Sequence, residues 1–129
     1  MAYSRKKSRE IAFRMIFALD GEDTLEIACS DEDGLPTGPE LEYINRLFTS
    51  VKENITEIDE VISGLSHGFS FDRIFKTDLA VIRMGVAEIK YMDTDNIIAT
   101  SEAVAIAKKY GTEKSGGFVN GILAKVITA

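Results

Sequence analysis

Thr77-Asp78-Leu79-Ala80-Val81-Ile82-Arg83-Met84-Gly85-Val86-Ala87-Glu88-Ile89 is the stretch on which the fold reading turns. Leu79, Ile82, Val86 and Ile89 recur at steps of three, four and three, the spacing of one face of an α-helix. The apolar face is broad, which suits the buried centre of a helical bundle. Thr77 opens this helix. Downstream, Ser101 starts another, with Ala103, Val104, Ala107 and Tyr110 inward and Gly111 as its end. Ser115 caps the last helix, which turns Val119, Ile122, Leu123 and Val126 inward.

Upstream the same period continues. Residues 4–19 read as a helix with Ser4 as N-cap and Ala12, Ile16 and Leu19 on one face. Residues 40–54 form a second on Leu41, Ile44, Leu47, Phe48 and Val51. Thr56 reads as a cap for a third over 57–67, on Ile58, Val61, Ile62 and Leu65, with His67 near its end and Gly68 as a left-handed stop. Phe69–Arg73 is a short turn. Period-two alternation is nowhere sustained, so no strand is expected. The fold class is all-α: about six to seven helices in one domain over residues 1–129, forming a bundle or a pair of small bundles, between which periodicity alone does not choose.

The chain has 129 residues, 45% hydrophobic and 28% charged, the balance of an ordinary soluble domain. Cys29 is the only cysteine, so neither an internal disulfide nor a cysteine zinc site is available, and a reducing, cytoplasmic setting is expected. Membrane-length apolar runs and an apolar signal segment are both missing. Phosphate-binding loops, dinucleotide fingerprints and nucleophile elbows are absent too, so no cofactor, metal or catalytic residue is assigned and an enzyme is not expected. Cys29 has no basic neighbour to activate it, and His67 suits a helix end better than a proton-transfer role.

Net charge is −6, but it is polarised. Nine acids and no base lie between Asp20 and Glu42; setting those nine aside leaves 12 acids against 15 bases. The acidic run, including the variable segment 20–39, lacks the ligand spacing of an EF-hand. It reads as a solvated loop, or as a segment that folds over a basic patch and competes with a polyanion. The basic counterpart is at the start. Arg5, Lys6, Lys7 and Arg9 crowd the first turns of a helix, where the dipole disfavours each cation by roughly 0.3–1 kcal/mol. An external polyanion would account for them; so would a solvated face. Near the other end, Phe118 beside Gly116 and Gly117 and close to Lys114 suits base stacking or, equally, the core. Gly121 inside a helical pattern suggests close backbone approach by another helix or a ligand.

Three of these segments together resemble the NusB family of bacterial transcription antitermination factors. They are Arg5-Lys6-Lys7-Ser8-Arg9-Glu10-Ile11-Ala12, the central Leu79–Ile89 helix, and Ser101–Gly111 followed by Phe118-Val119-Asn120-Gly121-Ile122-Leu123. The resemblance covers the chain apart from residues 20–39. It implies two small helical bundles packed crosswise. It also implies binding to boxA-type single-stranded RNA with the ribosomal protein NusE, within an RNA polymerase antitermination complex that reads through terminators. On matching positions Arg5, Lys6, Lys7, Arg9, Arg73, Lys114 and Phe118 would meet RNA, and Phe17 and Glu88 the protein partner. Some members of the family self-associate, which adds a homodimer to the implied partners. Gly117 stands where the family often has Lys or Arg, and Ala124 where Asp is common. Two other readings compete: a protein-interaction module acting through the acidic segment without specific RNA binding, and the helical part of an RNA methyltransferase, against which the lack of a cofactor-binding domain speaks.

Overall fold

The computed structural model describes residues 3–19, 28–29, 34–65 and 70–128. Among these are six α-helices and one 3₁₀ turn, and no strand. The helices are α1 Arg5–Phe17, α2 Gly38–Glu53, α3 Ile55–Leu65, α4 Lys76–Tyr91, α5 Asn96–Tyr110 and α6 Ser115–Thr128, with the 3₁₀ turn at Phe71–Arg73. His67, Gly68 and most of the acidic run lie outside the described residues.

The stretch that decides the fold is its axis. Val81, Ile82, Val86 and Ala87 of α4 have no exposed surface, and Ala80 and Met84 almost none. All five other helices pack against α4: α1 and α2 pair with each other on it, α5 and α6 do likewise, and α3 joins α4, α6 and α2. The two helix groups thus share α4. Gly85 brings α4 and α6 together, since a Cβ there would lie 2.8 Å from Leu123 Cδ1. Gly121, expected to mark such an approach, is exposed and has nothing within 4 Å of a built Cβ.

Three helix starts differ from expectation. Asn54 closes α2 and α3 begins at once at Ile55, so Thr56 lies within a helix instead of capping one. α5 begins five residues before Ser101, because Asp95 caps it by accepting from the Ile97 and Ile98 amides at 2.9 and 3.2 Å. Ser115 does open α6, but its buried hydroxyl turns back to accept from the Thr112 amide at 2.9 Å. α2 begins at Gly38, with Pro39 in its first turn, where a missing amide hydrogen costs nothing.

Candidate nucleic-acid and partner surfaces

Helix α1 carries the basic cluster, and its periodicity divides that cluster in two. Ser4 caps the helix, accepting from the Lys7 amide at 3.0 Å. The face that buries Ala12 and Ile16 continues backward at helical spacing through Ser8 and Arg9, both buried. Arg9 is therefore directed into the protein. Its Nε and Nη2 donate to Glu88 Oε1 and Oε2 at 2.6 and 3.0 Å, and Nη1 lies 3.5 Å from Glu102 Oε1. Tyr43 donates to Glu88 Oε1 at 3.0 Å and Thr94 to Oε2 at 2.9 Å, so each carboxylate oxygen has two donors. Asp93, with φ 53°, turns the chain so that Thr94 reaches back. Burial is the largest single influence on Arg9 and opposes its charge, but the Glu88 hydrogen bonds and the charges of Glu88 and Glu102 together hold the guanidinium above its ordinary pKa. Burial likewise pushes the Tyr43 phenol up, with Glu88 adding to it. Arg9, expected to meet RNA, and Glu88, expected to meet a protein partner, are instead both buried in this structure: a charge with no water must pair internally, and these two pair with each other.

Arg5, one turn earlier, stays at the surface but is engaged. Its Nε and Nη2 donate to the two Glu40 oxygens at 3.0 and 3.1 Å, and its guanidinium carbon lies 3.9 Å from the Tyr43 ring centre. The Arg5 hydrogen bonds hold the Glu40 carboxyl below the ordinary carboxylate range, against a smaller effect of burial. Exposed pairs of this kind contribute only ~0.2–1 kcal/mol.

The opposite face of α1 meets the C-terminal turns of α5. Lys6, Lys7, Arg14 and Lys109 surround Glu10 in a cavity of about 380 Å³ completed by Ser4 and Ile11. Lys109 Nζ lies 2.7 Å and Arg14 Nη2 3.3 Å from Glu10 Oε1, and the Tyr110 hydroxyl donates to the same oxygen. Burial would raise the Glu10 pKa; the Lys109 and Tyr110 hydrogen bonds lower it overall. A second cavity of about 160 Å³ adjoins, lined again by Lys6, Glu10 and Lys109 and also by a second acid, Glu102. Four cations around one acid leave this seam positive, and Lys6 and Lys109 are exposed. Sequence reading assigned no site role to Lys109 or Glu10, which it named only within the segments that carry the resemblance, and it saw Arg14 only as a further cation on the basic first helix. The signal lay in the pairing of two separate segments, which no local spacing reveals.

The remaining expected residues are spread more widely. Lys114 is exposed in the turn before α6, and the Phe118 ring is half-buried against the edge of the core, so it is only partly available for stacking. Neither lines the α1–α5 cavities. Arg73 is exposed at the end of the 3₁₀ turn. Phe17 is 38% exposed, with Lys76 Nζ 4.9 Å from its ring centre, beside a hollow of about 250 Å³ that Arg14 and Tyr110 share. A wider groove of about 970 Å³ runs between α5 and α6, with Ile97, Val104, Lys108 and Ala124 on its walls. Among the described residues no group of three or more His, Cys, Asp or Glu is placed to hold a metal ion, and no helix is long and apolar enough to cross a membrane.

Comparison with known proteins places this geometry. The NusB family model matches residues 6–128. A transcription antitermination protein NusB from Agathobacter rectalis is 41% identical over 128 residues, covering 95% of this chain and 98% of the relative. The solved T. maritima NusB superposes with a TM-score of 0.86 at 29% identity, covering 99% of this chain and 93% of that one. A crystal structure of the antitermination factors NusB and NusE in complex with double-stranded RNA superposes with a TM-score of 0.82 at 27% identity, covering 96% of both chains. A near-complete family match, with a relative and solved folds covered over nearly their whole length, has one meaning: the chain belongs to the NusB family.

Proposed function

We propose that this protein is a bacterial transcription antitermination factor that acts by binding and not by catalysis. It engages boxA-type single-stranded RNA together with NusE and promotes read-through by RNA polymerase in the cytoplasm. The observation that carries this reading is the positive α1–α5 seam, with Lys6 and Lys109 exposed at its mouth, in a family with a solved NusB–NusE–RNA complex. Lys6 and Lys7 supply phosphate contacts, with Arg14 and Lys109 beside them. Arg5, Arg73 and Lys114 extend the cationic surface, and Phe118 offers a partial stacking face. Phe17 belongs to the partner surface. Arg9 and Glu88 act from within, fixing α1 against α4 so that the outer cations hold their places.

The test is a fluorescence-anisotropy titration of labelled boxA-type RNA, a scrambled strand and a boxA-containing duplex, each with and without NusE. Tighter binding of the boxA strand, strengthened by NusE, is expected. Retention of NusE with no measurable RNA affinity would instead favour the protein-interaction module.

A further inference from the structure

The Arg5 fork is shaped for an oxyanion and already holds one. Two guanidinium donors meet the two Glu40 oxygens at 3.0 and 3.1 Å. The buried Ser8 hydroxyl lies 2.8 Å from Oε1 and 3.0 Å from the Ser4 carbonyl oxygen, so its single proton is shared between the two, and the Tyr43 ring backs the guanidinium at 3.9 Å. Arginine grips carboxylate and phosphate with the same bidentate geometry, so a phosphodiester fits where the carboxylate sits. The pair is also free to open: the Arg5 and Glu40 side chains are 48% and 20% exposed. Nor is Glu40 stranded if Arg5 leaves it. It lies in the first turn of α2, a helix start with no side-chain cap, where the dipole favours a negative charge.

We propose that Glu40 is an internal competitor for RNA: its carboxylate occupies, at Arg5 and Ser8, a subsite that takes one backbone phosphate of the bound strand. This rests on the RNA-binding reading above and adds to it a built-in restraint on affinity. The restraint is mild, because an exposed pair is weak. It tunes binding without blocking it.

The test compares wild type, E40Q, E40D, E42Q, R5A and R5A/E40Q for affinity to a labelled boxA-type single-stranded RNA at low salt, with far-UV circular dichroism to confirm equal helicity. E40Q should bind about three- to fivefold tighter. E40D keeps the charge but is too short to hold both guanidinium nitrogens, and should show a smaller gain. E42Q, the same charge change at a neighbouring exposed position, should change little. R5A/E40Q should bind no better than R5A. Wild-type or weaker affinity in both E40Q and E40D, an equal gain in E42Q, or a gain that survives without Arg5 overturns the proposal while RNA binding itself stands. Absence of binding in wild type and every variant rejects the RNA reading and this subsite with it.

Discussion

A guanidinium out of water must find its hydrogen bonds inside the protein, and Arg9 finds them on a carboxylate that Tyr43 and Thr94 also satisfy. Removing one member of such a pair leaves a buried charge alone, which costs about 3–5 kcal/mol. R9A and E88A should each lose that much stability in urea titration. The double variant should lose less than their sum, with a coupling of roughly 1–3 kcal/mol. R9A should still bind RNA with the wild-type salt dependence where it is folded, since Arg9 reaches no phosphate. The inward course of Arg9 was legible: stepping back from Ala12 and Ile16 by three, four and seven residues lands on Arg5, Ser8 and Arg9. The charge cluster masked that periodicity. Glu10 makes a separate prediction. Its folded pKa is lowered from the ordinary 4.5, so its stabilisation is present above the unfolded value and lost as pH falls through the folded one. The gap in Tm between wild type and E10Q should be widest above about pH 6 and should shrink below about pH 4.5. A gap that stays constant down to pH 3 would show that the cluster stabilises by packing alone.

At the scale of the helix, two glycines of equal intrinsic cost have opposite surroundings. Gly121 lies inside α6 with open space around a built Cβ, so G121A should gain about 0.5–1 kcal/mol from helix propensity. Gly85 lies inside α4 with Leu123 Cδ1 and Cδ2 at 2.8 and 3.0 Å from a built Cβ, and Leu123 is fully buried. G85A gains the same propensity but must displace packed atoms at about 1–3 kcal/mol, so a net loss near 1 kcal/mol is expected. Thermal unfolding of the two variants should shift in opposite directions; shifts of the same sign would mean that Leu123 has room to yield. The sequence placed the six helices of the described residues, because apolar residues at steps of three and four define them wherever one face is buried. It misjudged the starts where that link fails. Ile97 and Ile98 are 79% and 50% exposed, so they follow no buried face, and the first turn of α5 disappeared from the pattern. Of the two approaches that Gly121 suggested, by another helix or by a ligand, the packing removes the first: a glycine in a helix shows that something differs there, and no helix lies against it.

Over the whole molecule, the proposed RNA binding requires a chain of net charge −6 to present a locally positive surface. The fold does this by pairing several cations internally and leaving others at one seam. Arg9 is consumed in the core and Arg5 is engaged by Glu40, while Lys6 and Lys109 remain exposed where α1 meets α5. This gathering of two distant segments was not legible in the sequence, where Lys109 belongs to a helix that shows no cationic cluster of its own. Each phosphate contact to a single strand contributes roughly 0.7 to the slope of log affinity against log salt. K6A and K109A should therefore each flatten that slope by about 0.7, and the double variant by about twice as much. Lys52 provides the control. It is an exposed cation on α2, a helix that contributes no residue to either α1–α5 cavity. K52A should leave the slope unchanged. If K52A and K109A weaken binding equally and with equal loss of slope, RNA is responding to overall charge, and the α1–α5 seam is not its path. If only the seam variants act, the path runs over two helices that the shared α4 holds in register, which explains why an ion pair as deep as Arg9–Glu88 belongs in a molecule that works at its surface.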